Sequence, residues 1–403
     1  MKQRVAGPEV SETLEISGAS EVSKASESSE GSSILSVSTV FTAPALLLLS
    51  QVQVVAVMVT LVLALVPAPA VLALVPPTAP EQSLSGPGGK AYAHQGVRLT
   101  RIGAYEDKFF LFEPTQPSRK TAPVVLFFHG WMHTHPDYYR AWIDHLVKHG
   151  NIVIFPCYQS SGEPLAHYFA NCVRSIKEAL VKLVDGTHAE PDRDRFACIG
   201  HEGGGVLALN YAATARYFKL PVPKALSVLQ PSMGPGGRIS QGLEWYDLSK
   251  IPRDTLLQVI VGDDDRHNGH ETAIEAFYGA DVIDHHNKAY LTLITDLHGT
   301  PGLVADRWAP LCPLRPLLMR EIDRRRLEFI RLYREPFTAG GVRTQAVDTH
   351  DWNGFWRLFD TMCHTAFTGE GRNVSPESSH AFLALGHWSN GRPIRPLLST
   401  HRP

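Results

Sequence analysis

Short apolar runs alternate with longer stretches of helical period through residues 97–294, and that alternation leaves few folds open. Residues 124–128 and 152–155 are continuous apolar segments bounded by turn residues, the pattern of strands buried on both faces. Residues 196–199, 225–229, 255–261 and 290–294 repeat the pattern, and residues 97–102 and 107–112 read as two antiparallel strands ahead of them. Residues 138–149, 165–184 and 206–217 carry apolar positions at helical spacing. Strands alternating with helices of this length predict an α/β class, a mostly parallel sheet with helices on both faces.

The run at 196–199 leads directly into Gly200-His201-Glu202-Gly203-Gly204 and then a helix. A strand entering G-x-x-x-G before a helix is the layout of a nucleophile elbow, a turn so tight that its central residue is strained and side chains on its neighbours would clash. Here the chain resembles the α/β-hydrolase superfamily, closest to its dienelactone-hydrolase and lipase-like branches. The family pattern is G-x-S-x-G, so Glu202 stands where the resemblance expects serine. The resemblance also implies an oxyanion-hole loop at His129-Gly130-Trp131, with the backbone N–H groups of Trp131 and Gly203 as donors. It implies an acid in Gly262-Asp263-Asp264-Asp265, Asp265 first and Asp263 second, and a histidine at His298. The order elbow, acid, histidine is the one this fold uses.

Glu202 changes the chemistry expected of that site. A serine hydroxyl attacks an acyl carbon while histidine takes its proton and two backbone N–H groups hold the oxyanion. A carboxylate has no such proton, and its attack on an ester would give an anhydride. It can attack a saturated carbon, as the aspartate of related superfamily members does, or act as a base on water. The expected function is therefore an α/β-hydrolase-like protein that hydrolyses an ester-type or related small substrate through Glu202, Asp265 and His298. The alternative is a catalytically inactive relative that binds a ligand or partner.

The ends of the chain are organised differently. Residues 1–33 are rich in Ser, Glu and Ala without an apolar period and read as disordered. Residues 34–80 read as a hydrophobic anchor or export signal with a Pro-rich linker. No charged residue falls between Glu30 and Glu81, and residues 46–66 are long enough to span a bilayer. Cleavage after Ala70 or Ala73 is the competing reading. The expectation is a membrane-anchored or exported protein. Residues 91–310 form the hydrolase-like domain. Residues 311–403 form a helical, aromatic extension (Trp352, Phe355, Trp356, Phe359) that packs on the domain or caps it.

With 38 Lys and Arg against 40 Asp and Glu, no basic stripe points to nucleic acid, so a small-molecule substrate is expected and nucleic acid is not. The five cysteines form no CxxC pair. Cys157 and Cys198 read as buried inert thiols, and one bridge involving Cys312 or Cys363 stays open. His129, His133 and His135, and Asp284, His285 and His286, read as solvated loop groups rather than metal ligands, and no cofactor is expected. Gly203-Gly204-Gly205 lacks the following Lys-Ser/Thr of a phosphate-binding loop.

Overall fold

The longest strand runs from Glu190 to His201, and its last residues are buried on both sides because the sheet continues past each of its edges. The computed structural model describes residues 10–12, 75–160, 162–234, 243–313, 346–372, 380–400 and 403. They contain one ten-stranded sheet. In chain order its strands are β1 (Val10–Glu12), β2 (Gly96–Ile102), β3 (Phe109–Thr115), β4 (Thr121–Phe128), β5 (Ile152–Pro156), β6 (Glu190–His201), β7 (Ala225–Leu229), β8 (Leu256–Gly262), β9 (Lys288–Leu293) and β10 (Leu398–Thr400). The spatial order is 1-2-3-5-4-6-7-8-9-10. From β5 to β9 every neighbouring pair is parallel, and the pairs toward β1 and at β10 are antiparallel. This is an α/β-hydrolase fold.

Helices cover both faces. Helices α2 (Tyr168–Lys182), α3 (Gly203–Thr214) and α4 (Glu271–Gly279) bury one face against Leu126, Ile154, Cys198 and Val228. Helix α1 (Arg140–Lys148) and helix α5 (Arg357–Thr368) bury the other against Phe127, Phe155, Ile199 and Ile260. The alternation of Leu126 and Phe127, or Cys198 and Ile199, between the two clusters is the two-residue period of a strand with both faces covered. Helix α3 is apolar all round because it lies under the sheet's centre, and its residues from Gly203 to Ala212 are all buried. Helix α4 was not foreseen from sequence, since its short apolar stripe sits among polar residues.

The C-terminal extension completes the second face. A π-helical turn, His350–Trp356, leads into α5. Phe355 stacks on Trp142 of α1 at 6.0 Å, and Phe359 meets the same ring edge-on. Farther along, past the short helix α6 (His380–Leu383), Trp388 is 1% exposed and donates its indole N–H to Asp296 Oδ2 at 3.0 Å. The backbone N–H of Arg395 donates to the same oxygen. The tail is thus held by buried aromatic area and by one carboxylate that accepts from both groups.

Two expectations about the chain ends change. The membrane-spanning reading is corrected: no helix among the described residues is long and apolar enough to cross a membrane. The stretch on which that reading rested, residues 46–66, lies outside the described residues, and the anchor is not carried further. Of the first 33 residues, read as disordered, Val10–Glu12 pair with β2 as an edge strand, and the others fall outside the described part. All five cysteines are free, so the bridge left open at Cys312 or Cys363 does not form.

If the tail is integral to the core, Trp388→Ala should lower unfolding stability by about 3–5 kcal/mol, the range for deleting a large buried aromatic ring. Urea unfolding measures this directly, and a loss below about 1 kcal/mol would show that the tail is peripheral.

Candidate active site

Strand β6 delivers His201 and Glu202 to the turn before α3. Glu202 has φ 49° and ψ −121°, a backbone conformation that side-chain-bearing residues rarely adopt. The turn is held from both sides: Glu202 N–H donates to Leu229 O of β7 at 2.9 Å, and Gly205 N–H donates to Glu202 O. Gly204 permits it, because a Cβ there would lie 2.3 Å from Phe128 O and 2.4 Å from His129 O. A tight strand–turn–helix with Glu202 at positive φ is therefore present where the sequence places the elbow. What its central side chain does is set by four neighbours.

The Glu202 carboxylate is completely buried. Its Oε2 accepts the Trp131 backbone N–H at 2.9 Å. That N–H is the group expected to hold a substrate oxyanion, and the carboxylate takes it instead. Oε1 lies 3.2 Å from Arg307 Nε, an ion pair in which both groups are buried. His133 Nδ1 lies 3.8 Å from Oε2. Burial opposes ionisation of Glu202, but the Arg307 guanidinium, then His201, His133 and the Trp131 N–H, outweigh it and hold the carboxyl below its ordinary value. Gly203, expected as the second donor, packs against the Trp131 indole: a Cβ on it would lie 2.6 Å from Cζ2. The indole N–H is fixed by Ser232 Oγ at 2.9 Å.

Arg307 reaches the elbow because the chain after β9 folds back over the end of β8. Asp264 N–H donates to Ala305 O, and Ala305 N–H donates to Thr295 Oγ1. The approach is so close that a Cβ on Gly262 would lie 1.9 Å from Ala305 O. Asp265 stands where the resemblance places the acid. Its Oδ1 accepts the N–H groups of His267 and Asn268, at 3.1 and 3.0 Å. Burial raises its pKa, the Asn268 N–H opposes that, and the nearby Glu202 charge adds to it. Asp265 therefore shares the electrostatic field of Glu202 and Arg307 without bonding a histidine side chain, among the described residues.

His298 is not brought to Glu202. Its ring nitrogens meet Asn390 Nδ2 at 2.9 Å and Arg392 Nη1 at 3.0 Å, and its ring stands edge-on to Trp388. It belongs to the tail dock around Asp296. No hydrogen bond or ion pair joins it to Glu202 among the described residues.

Three site residues escaped the sequence reading: His201, Tyr139 and Arg307. Gly130 N–H donates to Tyr139 Oη at 2.8 Å, Tyr139 Oη meets His201 Nδ1 at 2.8 Å, and His201 Nε2 meets Arg307 O at 2.8 Å. A carbonyl only accepts, so Nε2 carries the proton. Burial lowers the His201 pKa, which leaves Nδ1 as the acceptor of the tyrosine O–H. Both nitrogens are thus used in positioning Arg307. The one signal in the sequence was negative: a buried carboxylate needs a cation, and Arg307 lies in a largely apolar stretch after the last parallel strand.

His133 Nδ1, His201 Nδ1 and Glu202 Oε2 also form a group whose donor atoms lie within 4.8 Å of one another. Their disposition does not suit a metal. Both His201 nitrogens are engaged, and the Arg307 cation already faces the carboxylate. The donors also close on Gly130, where a Cβ would lie 2.6 Å from Oε2 and 2.8 Å from each ring nitrogen. Glycine is required there because a side chain would collide with all three donor atoms.

The acid response of the site follows from these shifts. His129 and His133 are pushed down to about 3, first by burial, so they stay neutral in the fold while the unfolded chain protonates them near 6.5. The unfolded state then binds more protons between about 6.5 and 3, so stability falls as pH drops through that window, by up to about 1.4 kcal/mol per pH unit for each histidine. Glu202 has a depressed folded pKa, so its contribution is present above the ordinary 4.5 and is lost as pH falls through the folded value. Urea unfolding of His133→Gln should show a shallower loss from pH 6.5 to 4. An unchanged slope would mean that His133 is not held neutral. Arg307→Met, which leaves Glu202 buried without its cation, should cost about 3–5 kcal/mol at pH 7.

A family model described as Chlorophyllase, an α/β-hydrolase-type family, matches residues 104–238. The match includes the Trp131 loop and the elbow but stops before Asp265, His298 and Arg307. No curated protein matches the chain. The chain is hydrolase-like over the matched segment.

Proposed function

We propose that this protein is a hydrolase-fold binding protein whose elbow has lost serine-type ester hydrolysis. One observation carries the reading: Glu202 places one carboxylate oxygen on the Trp131 N–H and the other against Arg307. A carboxylate in an oxyanion site resembles the acid product of ester hydrolysis, held permanently by the chain itself. A substrate carbonyl would have to displace it, breaking a buried ion pair and a charge-assisted hydrogen bond. Neither His201 nor His133, the two histidines nearest the Glu202 carboxylate, is a free general base. His201 is bonded at both nitrogens, and burial pushes the pKa of His133 down to about 3, too low for it to accept a proton efficiently near neutral pH. The ligand class that suits the fold is a small molecule.

A second reading keeps Glu202 as a nucleophile toward a saturated carbon. It is favoured by the carboxylate being held ionised on a strained turn, as a nucleophile would be. Assays with p-nitrophenyl esters and with terminal epoxides separate the two. The wild type should stay at the uncatalysed rate with both, and Glu202→Ser should gain little because His298 is held by Asn390 and Arg392 and not brought to the turn. Epoxide or ester turnover by the wild type that disappears in Glu202→Gln would overturn the binding-protein reading.

A further inference from the structure

A cavity of about 380 Å³ lies at the other end of the parallel strands from the elbow. It is walled by the first residues of β8 and β9, Leu256, Leu257 and Ala289, and by Leu358 and Met362 of α5. These five side chains are buried, while His286 and Gly371 at the rim are exposed. The size falls in the range of small-molecule pockets, and the wall is almost wholly apolar.

One buried polar residue interrupts that wall, beside the half-buried Thr361 and Thr365 of α5. Gln258 is 4% exposed, and its carboxamide makes a single hydrogen bond, from Nε2 to Ser227 Oγ at 2.9 Å. Its Oε1 accepts nothing among the described residues. If the amide is rotated by half a turn, the serine hydroxyl donates to Oε1 and an N–H faces the cavity instead. In either orientation one hydrogen-bonding atom of Gln258 is left for an occupant of the cavity. A hydroxyl satisfies both orientations because it donates and accepts.

The rim cations are tied to backbone carbonyls rather than aimed at the cavity floor. Lys288 Nζ donates to Phe277 O and Ala280 O, at 3.0 and 3.2 Å, and Arg372 Nη1 donates to Asp254 O at 2.8 Å. A carboxylate at the floor would be desolvated beside an uncharged amide. We infer that this cavity binds a neutral single-chain amphiphile, an aliphatic alcohol in its simplest form, with the chain against Leu256, Leu358 and Met362 and the hydroxyl on Gln258. The inference goes beyond the reading of the elbow and is independent of it.

The test is NMR of the full chain carrying ¹³C-methyl methionine, titrated with 1-decanol and separately with decanoate at pH 7. The Met362 signal is identified by its absence in Met362→Leu. It should shift and saturate with 1-decanol, and decanoate should bind at least about tenfold more weakly. Gln258→Leu should weaken the alcohol about three- to tenfold. Thr365→Trp fills the cavity from a half-buried position on α5 and should abolish the shift while the circular dichroism spectrum stays native. A Met362 signal unmoved by millimolar alcohol, a shift that survives in folded Thr365→Trp, or tighter binding of decanoate would overturn the proposal. None of these readouts depends on whether Glu202 turns over a substrate.

Discussion

The Glu202–Arg307 ion pair is the constraint around which the elbow end of this molecule is arranged. A carboxylate buried in a strained turn at the end of the central strand β6 is stable only if a cation and hydrogen-bond donors reach it. Arg307 reaches it because the chain after β9 crosses the end of β8, and His201 anchors the Arg307 carbonyl from the residue beside Glu202. Tyr139 then fixes His201, and Gly130 fixes Tyr139. Replacing either member of the pair alone leaves a buried charge unmatched, which costs more than the pair contributes over an apolar substitute.

The same pair accounts for how the fold and the chemistry separate here. Backbone features of the hydrolase elbow are retained: the φ of 49°, the close glycine at 204 and the loop that presents the Trp131 N–H. Those features hold the turn in place whatever the side chain does. Side-chain chemistry is where the site differs from the serine pattern, because the Glu202 carboxylate itself accepts the Trp131 N–H. The apolar cavity at the opposite end of the strands is built by another part of the chain, where α5 of the C-terminal extension stands off from β8 and β9. The extension therefore does more than cover the sheet, since without α5 that cavity would be an open apolar face.

Residues 196–205 show how much was legible in advance. Four apolar residues, a glycine-rich turn and a helix admit one local geometry, and the structure has it. The strands were legible for the same reason: runs such as residues 124–128 can be buried on both faces only inside a covered sheet. His298 shows the limit. It follows the last parallel strand, where a histidine is expected, yet a loop can send its residues in either direction. Here Asp296 and the tail capture His298, and Arg307, farther along the same loop, returns to the elbow. Sequence spacing does not encode which loop residue turns inward, because that depends on contacts with Trp388, Asn390 and Arg392, remote in the chain.

By itself the sequence determined the α/β class, where the central strands lie along the chain, the strand–turn–helix at residues 196–205 and the presence of a carboxylate in that turn. These follow from local pattern: hydrophobic period, turn glycines and residue identity. Only the tertiary structure decided what that carboxylate meets. The partner is an arginine rather than a histidine, and the Trp131 N–H is taken by the carboxylate itself. The reason is that charge pairing and hydrogen bonding act through space, between groups that the chain brings together only after the sheet has formed and the loop beyond β9 has folded back across it.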